Sequence, residues 1–78
     1  MDLKGKRALV TGAAGGIGGA ITSLLRATGA QVAVADMNLD GIDAEAVFPG
    51  DLTDHGYADA LPATAAEALG GLDILVNN

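Results

Sequence analysis

The amino-acid sequence predicts an α/β fold, namely the N-terminal half of a doubly wound parallel sheet. Four short apolar runs recur along the 78 residues, as buried parallel strands require. Helical segments separate the first run from the second and the third from the fourth. A glycine-rich turn joins the first run to the first helical segment. Together they predict the element order β-α-β-α-β-α-β and the strand order 3-2-1-4.

The first βαβ unit is predicted from residue 7 to residue 36. Arg7–Thr11 is the first strand, and Gln31–Asp36 is a mostly apolar second strand. Between them, apolar residues recur at the helical period and form one stripe, and Gly29 suits the helix C-terminus because it has no Cβ. The stripe consists of Ile17, Ala20, Ile21, Leu24, Leu25 and Thr28. The crossover is expected to be right-handed.

The second half of the chain supplies two more strands and a helix. Met37–Glu45 is short and polar and is expected to hold one or two helical turns at most. Ala46–Pro49 is a brief third strand, and Leu72–Asn77 is the fourth. The Ala-rich segment His55–Leu69 favours a helix, in which Pro62 predicts either a kink or the start of a new helix.

Charge and composition exclude several classes of partner. The net charge is −6, and the basic residues are Lys4, Lys6, Arg7 and Arg26. Without a basic face, binding to nucleic acid or to an anionic membrane surface is not expected. No cysteine is present, and no apolar run approaches the length of a membrane span or a signal peptide. A soluble, cytoplasmic protein is therefore expected.

The glycine-rich turn, residues 11–18, predicts a binding site for an anion. A turn between a strand and a helix places the N–H groups of the helix N-terminus at the carboxyl end of the strand, where a pyrophosphate can bind. Gly12 allows the sharp turn, Gly16 lets a phosphate approach the main chain, and Gly18 allows close packing of the helix on the sheet.

The carboxylate of Asp36 is predicted to select the nucleotide. It ends the second strand, where it can accept hydrogen bonds from the hydroxyls of an adenosine ribose and repel a 2′-phosphate. No lysine or arginine lies in the turn or at Met37 to offset that repulsion. NAD is therefore expected rather than NADP, and the alternative is an acidic residue that only begins a loop.

Four segments together resemble the short-chain dehydrogenase/reductase family, whose fold is of the Rossmann type. The turn reads T-G-x-x-x-G-x-G rather than G-x-G-x-x-G, and Asp36 ends the second strand. Asp51-Leu52 resembles the acidic-apolar pair of the family, and Leu75–Asn78 resembles the start of its N-N-A-G segment. The resemblance covers nearly the whole chain, which is expected to be one nucleotide-binding domain, residues 1–78, truncated after the fourth strand.

The resemblance also implies where NAD would bind. Asp51 and Leu52 would contact the adenine, Asn77 would tie neighbouring strands, and Asn78 would line the ribose nearer the nicotinamide. For Asp51, an equal alternative is that it caps the following helix, a role for which Thr53 and Asp54 are also available. The pyrophosphate would contact Gly12, Gly15, Gly16, Ile17 and Gly18.

The catalytic serine, tyrosine and lysine of the family cannot be assigned in this sequence. No lysine follows Lys6, the one tyrosine (Tyr57) has Leu61 where Y-x-x-x-K requires lysine, and Ser23 lies in the first helix. The resemblance places these roles downstream of Asn78. No metal site is expected, because the one histidine, His55, has no convergent partners.

The expected function is NAD-dependent interconversion of a small-molecule alcohol and a carbonyl by hydride transfer, with this chain as the cofactor-binding part. Family resemblance implies a homo-oligomer, either a tetramer or a dimer. One alternative is a module, natural or excised, that binds an adenine nucleotide without turnover. Another is an interaction domain that pairs through its open edge strand.

Overall fold

A computed structural model describes residues 2–78 and contains one four-stranded parallel sheet. The strands lie in the order β3-β2-β1-β4, so the predicted fold class and strand order are confirmed. The elements are β1 Arg7–Thr11, α1 Gly16–Ala27, β2 Gln31–Asp36, β3 Ala46–Pro49, α2 His55–Leu69 and β4 Ile74–Asn77.

The sheet has β1 and β2 at its centre, and a helix covers each face. On one face Val10, Val32 and Val34 are fully buried, and Ile21 and Leu25 of α1 pack against them. Leu9, Ala33 and Ala35 point to the other face, which α2 covers with Leu61 and Ala65. This alternation explains why the central strands read as continuous apolar runs: both of their faces are buried.

The buried face of α1 is narrower than the predicted stripe. Gly18 and Thr22 are its buried residues, whereas Ile17 and Leu24 are 71% and 60% exposed and Ala20 is exposed too, so the prediction that these three join an inward stripe was wrong. Gly18, Ile21, Thr22 and Leu25 share one face at the helical period. Thr22 tolerates burial because its hydroxyl donates a hydrogen bond to the Gly18 carbonyl at 2.9 Å.

The connection from β2 to β3 contains no helix, which corrects the expected helical turns in Met37–Glu45. It must return along the length of the sheet in few residues, and an extended chain covers about twice the distance per residue that a helix does. Gly41, with a φ of +77°, forms a turn in it. Instead of a helix, three apolar side chains cover the core, those of Leu39, Ile42 and Ala44.

Arg26 of α1 holds this connection in place. Its guanidinium lies 2.9 Å from the Asp43 carboxylate and 3.3 Å from the Glu45 carboxylate. The other carboxylate oxygen of Glu45 accepts the Val32 N–H at 2.7 Å. Burial alone would raise the pKa of Glu45, but the hydrogen bonds from Val32 and from Arg26 outweigh it, and the pKa is lowered.

Helix α2 continues through Pro62 without interruption, so no new helix begins there. Asp54 is its N-cap and accepts the Tyr57 N–H at 3.3 Å. Gly70 ends the helix in the left-handed conformation, with a φ of 81°. Neither helix in the described part of the chain is long and apolar enough to cross a membrane.

Candidate functional site

The glycine-rich turn is anchored to the ends of two strands. The N–H groups of Gly12 and Ala13 donate to the Ala35 carbonyl of β2, at 2.9 and 3.4 Å. Gly12 has a φ of +65°, and a Cβ there would lie 2.6 Å from the Asn78 carbonyl oxygen, just beyond β4. The sharp turn expected at Gly12 is therefore present, and no other residue type fits it without strain.

The glycines at 16 and 18 have opposite surroundings. A Cβ added to Gly16 would meet no atom within 4 Å, so the main chain there is open to solvent. A Cβ added to Gly18 would collide with the Gly12 carbonyl oxygen and lie 2.8 Å from Asn78 Nδ2. Gly18 therefore serves close packing between α1 and the turn, whereas Gly16 leaves room for a group that approaches from outside.

The N-terminus of α1 is free to bind an anion. Its N-cap, Gly15, supplies no side-chain hydrogen bond, and no acidic side chain lies in the first turn. Within residues 2–78, the N–H groups of Gly16, Ile17 and Gly18 have no hydrogen-bond partner. These donors and the positive end of the helix dipole can hold a pyrophosphate.

Asp36 lies directly beside the turn. Its Oδ2 accepts the Ala14 N–H at 3.1 Å, and its Oδ1 accepts the Met37 N–H at 2.7 Å. The Asp36 carbonyl oxygen accepts the Gly50 N–H at 2.9 Å, which joins the ends of β2 and β3. Because parallel strands end at one edge of the sheet, this carboxylate and the helix N-terminus share one site.

All the basic residues lie at the opposite edge of the sheet. Lys4 and Lys6 precede β1, and Arg7 begins it. Arg7 lies 3.3 Å from the Asp73 carboxylate, and hydrogen bonds from the Arg7 backbone and side chain lower the pKa of Asp73. Arg26 is in the last turn of α1, which runs back to that same edge. Within residues 2–78, the carboxyl edge that carries Asp36 therefore has no lysine or arginine.

Asp51 and Leu52 follow β3 at the same edge as Asp36. Asp51 Oδ1 accepts the N–H and the hydroxyl of Thr53, at 2.9 and 2.7 Å, and these hydrogen bonds lower the pKa of Asp51. Because Asp54 caps α2, the alternative that Asp51 is the helix cap was wrong. Leu52 is half-buried against the core that α2 covers.

Tyr57 packs against the turn that carries Asp51, a contact that was not predicted. Its hydroxyl donates to the Phe48 carbonyl of β3, and its ring lies so close to Gly50 that a Cβ there would collide with it. Burial raises the pKa of Tyr57, and the negative charge of Asp36 raises it further. In the sequence, only Gly50 could have indicated this contact, and a glycine at that position equally indicates an ordinary turn.

The two asparagines at the end of β4 are joined to β1 and to the glycine turn. Thr11 Oγ1 lies 3.2 Å from Asn77 Oδ1 and accepts the Asn78 N–H at 3.3 Å. Asn77 thus ties β4 to β1, as expected. The Asn78 side chain donates to the Gly12 carbonyl at 3.1 Å. The role of Thr11 became evident only from the register, which pairs Thr11 with Asn77.

The remaining candidates for chemistry lie apart from this site. Ser23 lines a cleft of about 410 Å³ between α1 and the β2–β3 connection, which contains none of the predicted cofactor residues. A second cleft, of about 330 Å³, includes Leu52 and Asn78 and opens between α2 and the end of β4. The Tyr57 hydroxyl is occupied by a main-chain carbonyl. The site as described is therefore suited to binding a nucleotide.

Comparisons with known proteins agree with this geometry. Residues 6–78 match the family model described as short chain dehydrogenase. The chain is 42% identical to a sorbitol dehydrogenase of Cereibacter sphaeroides, covering 100% of this chain and 34% of the relative. It is 43% identical to an L-2,3-butanediol dehydrogenase of Corynebacterium glutamicum, covering 94% of this chain and 33% of the relative.

A solved structure is also similar to this chain in both fold and sequence. A crystal structure assigned as a short-chain alcohol dehydrogenase, from Sinorhizobium meliloti 1021, superposes with a TM-score of 0.88 at 41% identity. The match covers 99% of this chain and 35% of that one. The chain thus spans about a third of the length of these relatives. It belongs to the short-chain dehydrogenase family.

Proposed function

We propose that this chain is the NAD-binding part of an oxidoreductase that interconverts an alcohol and a carbonyl. The observation that carries the proposal is the carboxylate of Asp36, hydrogen-bonded to the glycine turn at an edge without lysine or arginine. Two relatives are named as dehydrogenases of sorbitol and of 2,3-butanediol, which supports an alcohol as the substrate class. When bound, the nicotinamide supplies the chemistry by accepting or giving hydride.

In this proposal the glycine turn holds the pyrophosphate. The N–H groups of Gly16, Ile17 and Gly18 are unpaired within residues 2–78, and they point along the dipole of α1. The fit is sterically favourable because the space above Gly16 is empty. Gly12 and Gly15 shape the turn, so that main-chain donors rather than a lysine or arginine bind the phosphates.

Asp36, Asp51 and Leu52 would bind the adenosine half of NAD. The Asp36 carboxylate would accept hydrogen bonds from the ribose hydroxyls, for which it would exchange its contact with Ala14. Asp51 Oδ2 has no hydrogen-bond partner within the described residues and would accept from the exocyclic amine of adenine. Asn78, beside Gly12, would line the ribose nearer the nicotinamide.

NAD is proposed over NADP for an electrostatic reason. A 2′-phosphate at the Asp36 carboxylate would bring like charges together, and such juxtaposition is strongly unfavourable without a compensating cation. Arg7 and Arg26 are held in ion pairs at the opposite edge of the sheet. Neither arginine side chain can therefore reach a phosphate at Asp36 without breaking its own ion pairs.

The same proposal includes a cytoplasmic location and assembly into a homodimer or homotetramer, as the family resemblance suggests. An alternative is a module that binds an adenine nucleotide without turnover. Within the described residues, neither the Tyr57 nor the Ser23 hydroxyl lies where it could serve a substrate at this site. An assay for NADH formation from NAD with a panel of polyols distinguishes the oxidoreductase from the module. Size-exclusion chromatography with light scattering measures the oligomeric state.

The direct test is calorimetric titration of the protein with NAD and with NADP. We expect the unmodified protein to bind NAD more tightly than NADP. Asp36→Ala should weaken NAD binding about 10- to 100-fold, because charged hydrogen bonds to the ribose are lost. It should also reduce the preference for NAD over NADP. Asp59→Ala, which removes the same charge from an exposed position in α2, should leave both affinities unchanged. Tighter binding of NADP by the unmodified protein would refute the assignment.

A further inference from the structure

Tyr57 connects the two ends of the turn between β3 and α2. Its hydroxyl donates to the Phe48 carbonyl, which lies in β3 before the turn begins. Its N–H donates to the Asp54 carboxylate, the N-cap that closes the turn at 3.3 Å. The chain between these two contacts, residues 49–53, contains both residues proposed to recognise adenine. A single side chain thus fixes the start of the turn while its own main chain fixes the end.

The turn is also tightly packed against the Tyr57 ring. A Cβ on Gly50 would collide with three ring carbons, so Gly50 lies flat against the ring and its main chain has little freedom. The Gly50 N–H donates to the Asp36 carbonyl at 2.9 Å, and the Asp54 N–H donates to the Asp51 carbonyl at 2.9 Å. These contacts connect the proposed ribose ligand, the Tyr57 ring and the proposed adenine ligands in one continuous network.

We propose that Tyr57 is a positioning residue for base recognition: it fixes the turn so that Asp51 and Leu52 distinguish adenine from other bases. The inference rests on the proposed function, since it assumes that the adenosine half of NAD binds at this turn. Tyr57 itself contacts no base in this scheme. It acts because a carboxylate discriminates between a donor and an acceptor only when its oxygen is held at hydrogen-bonding distance.

The test compares NAD with nicotinamide hypoxanthine dinucleotide, in which a carbonyl oxygen replaces the exocyclic amine of adenine. Asp51 can accept a hydrogen bond from the amine but not from the carbonyl. The unmodified protein should therefore bind NAD at least about tenfold more tightly than the hypoxanthine dinucleotide. Tyr57→Phe removes the hydroxyl and keeps the ring. We expect it to reduce the ratio of the two dissociation constants about three- to tenfold, because one hydrogen bond that fixes the turn is lost.

Thr28→Val is the matched control. It removes a hydroxyl that donates to the Leu24 and Leu25 carbonyls at the far end of α1, away from the nucleotide. We expect it to leave the ratio of the two dissociation constants unchanged. A loss of general stability in Tyr57→Phe would weaken both nucleotides alike, so the ratio separates positioning from a merely structural role.

Each outcome decides a different statement. The inference is supported if the ratio of the two dissociation constants falls in Tyr57→Phe and is unchanged in Thr28→Val. An unchanged ratio in Tyr57→Phe overturns the inference but leaves the proposal of NAD binding intact. Equal binding of both dinucleotides by the unmodified protein overturns the Asp51 assignment and the inference together. If the unmodified protein binds neither, the proposed function itself is overturned, and the role of Tyr57 with it.

Discussion

Substitutions at Gly16 and Gly18 should separate nucleotide binding from folding, although the two glycines lie two positions apart in one helix. Gly16→Val places its Cβ where no atom lies within 4 Å, at the proposed phosphate site. Gly18→Ala places a Cβ against main-chain atoms of the glycine turn. We therefore expect Gly16→Val to fold and to lose NAD binding, and Gly18→Ala to lose stability.

The size of each effect follows from what the new atoms meet. At Gly18 the Cβ would lie 2.8 Å from Asn78 Nδ2 and 2.9 Å from Ala13 Cα, and it would overlap the Gly12 carbonyl oxygen. Because main chain cannot move aside as a flexible side chain does, we expect a loss of about 1–3 kcal/mol in the free energy of unfolding. At Gly16 nothing lies within 4 Å, and a surface substitution of this kind changes stability by about 0.5 kcal/mol or less.

The assay pairs urea unfolding, followed by far-UV circular dichroism, with calorimetric titration of NAD. Gly16→Val should keep the unfolding midpoint of the unmodified protein and show no measurable NAD binding. Gly16→Ala is an intermediate variant, since its single methyl group fills less of the proposed phosphate site. Gly18→Ala should unfold at a lower urea concentration with an unchanged slope.

Two results would contradict this reasoning. A folded Gly16→Val protein that binds NAD with unchanged affinity would show that no phosphate approaches the main chain there. A Gly18→Ala protein as stable as the unmodified one would show that α1 can move away from the turn at little cost. The first result would remove the turn from the proposed function, whereas the second would change only the description of the packing.

Two further predictions concern stability alone. Because hydrogen bonds lower the pKa of Glu45 below its ordinary value of about 4.5, its contribution to folding is present above that pH and is lost as the pH falls through the lowered pKa. Glu45→Gln should therefore flatten the acid dependence of the unfolding free energy, measured in urea between about pH 7 and pH 3, and an unchanged dependence would contradict this. Pro62→Ala should raise the unfolding free energy by about 1–3 kcal/mol, because alanine restores an N–H that can donate to the Ala58 carbonyl within α2. A lower urea midpoint would instead show that the Pro62 ring contributes packing to the cleft that it lines.

The two central strands, β1 and β2, were predictable because a strand that is buried on both faces is apolar at every position, whatever surrounds it in the sequence. Val32, Ala33, Val34 and Ala35 are all fully buried, so every residue along that stretch of β2 is apolar and the run stands out. The first βαβ unit and the strand order followed from such runs and from the turn between them. The predicted bounds of β1 and β2 agree with the structure for this reason, and those of β3 agree although its residues are only half-buried or exposed.

Contacts between distant segments produced no comparable signal. Gly18 and Thr22 form the buried face of α1, yet neither counts as apolar in a periodic pattern, and the exposed Ile17 and Leu24 do. The helix-free connection between β2 and β3 depends on Arg26, which is far from it in sequence. Tyr57 meets Phe48 and Gly50 only because α2 folds back over β3.

The separation of charge across the sheet follows from the topology of the chain. In a βαβ unit the helix runs antiparallel to the strands, so the last turn of α1 returns to the edge where β1 begins. Arg26 in that turn therefore joins Lys4, Lys6 and Arg7 at the amino edge, although it is far from them in sequence. The carboxyl edge retains Asp36 and Asp51 without a lysine or arginine among the described residues. On such an edge the proposed pyrophosphate would be bound by main-chain N–H groups, and the Asp36 carboxylate would disfavour a further phosphate placed beside it.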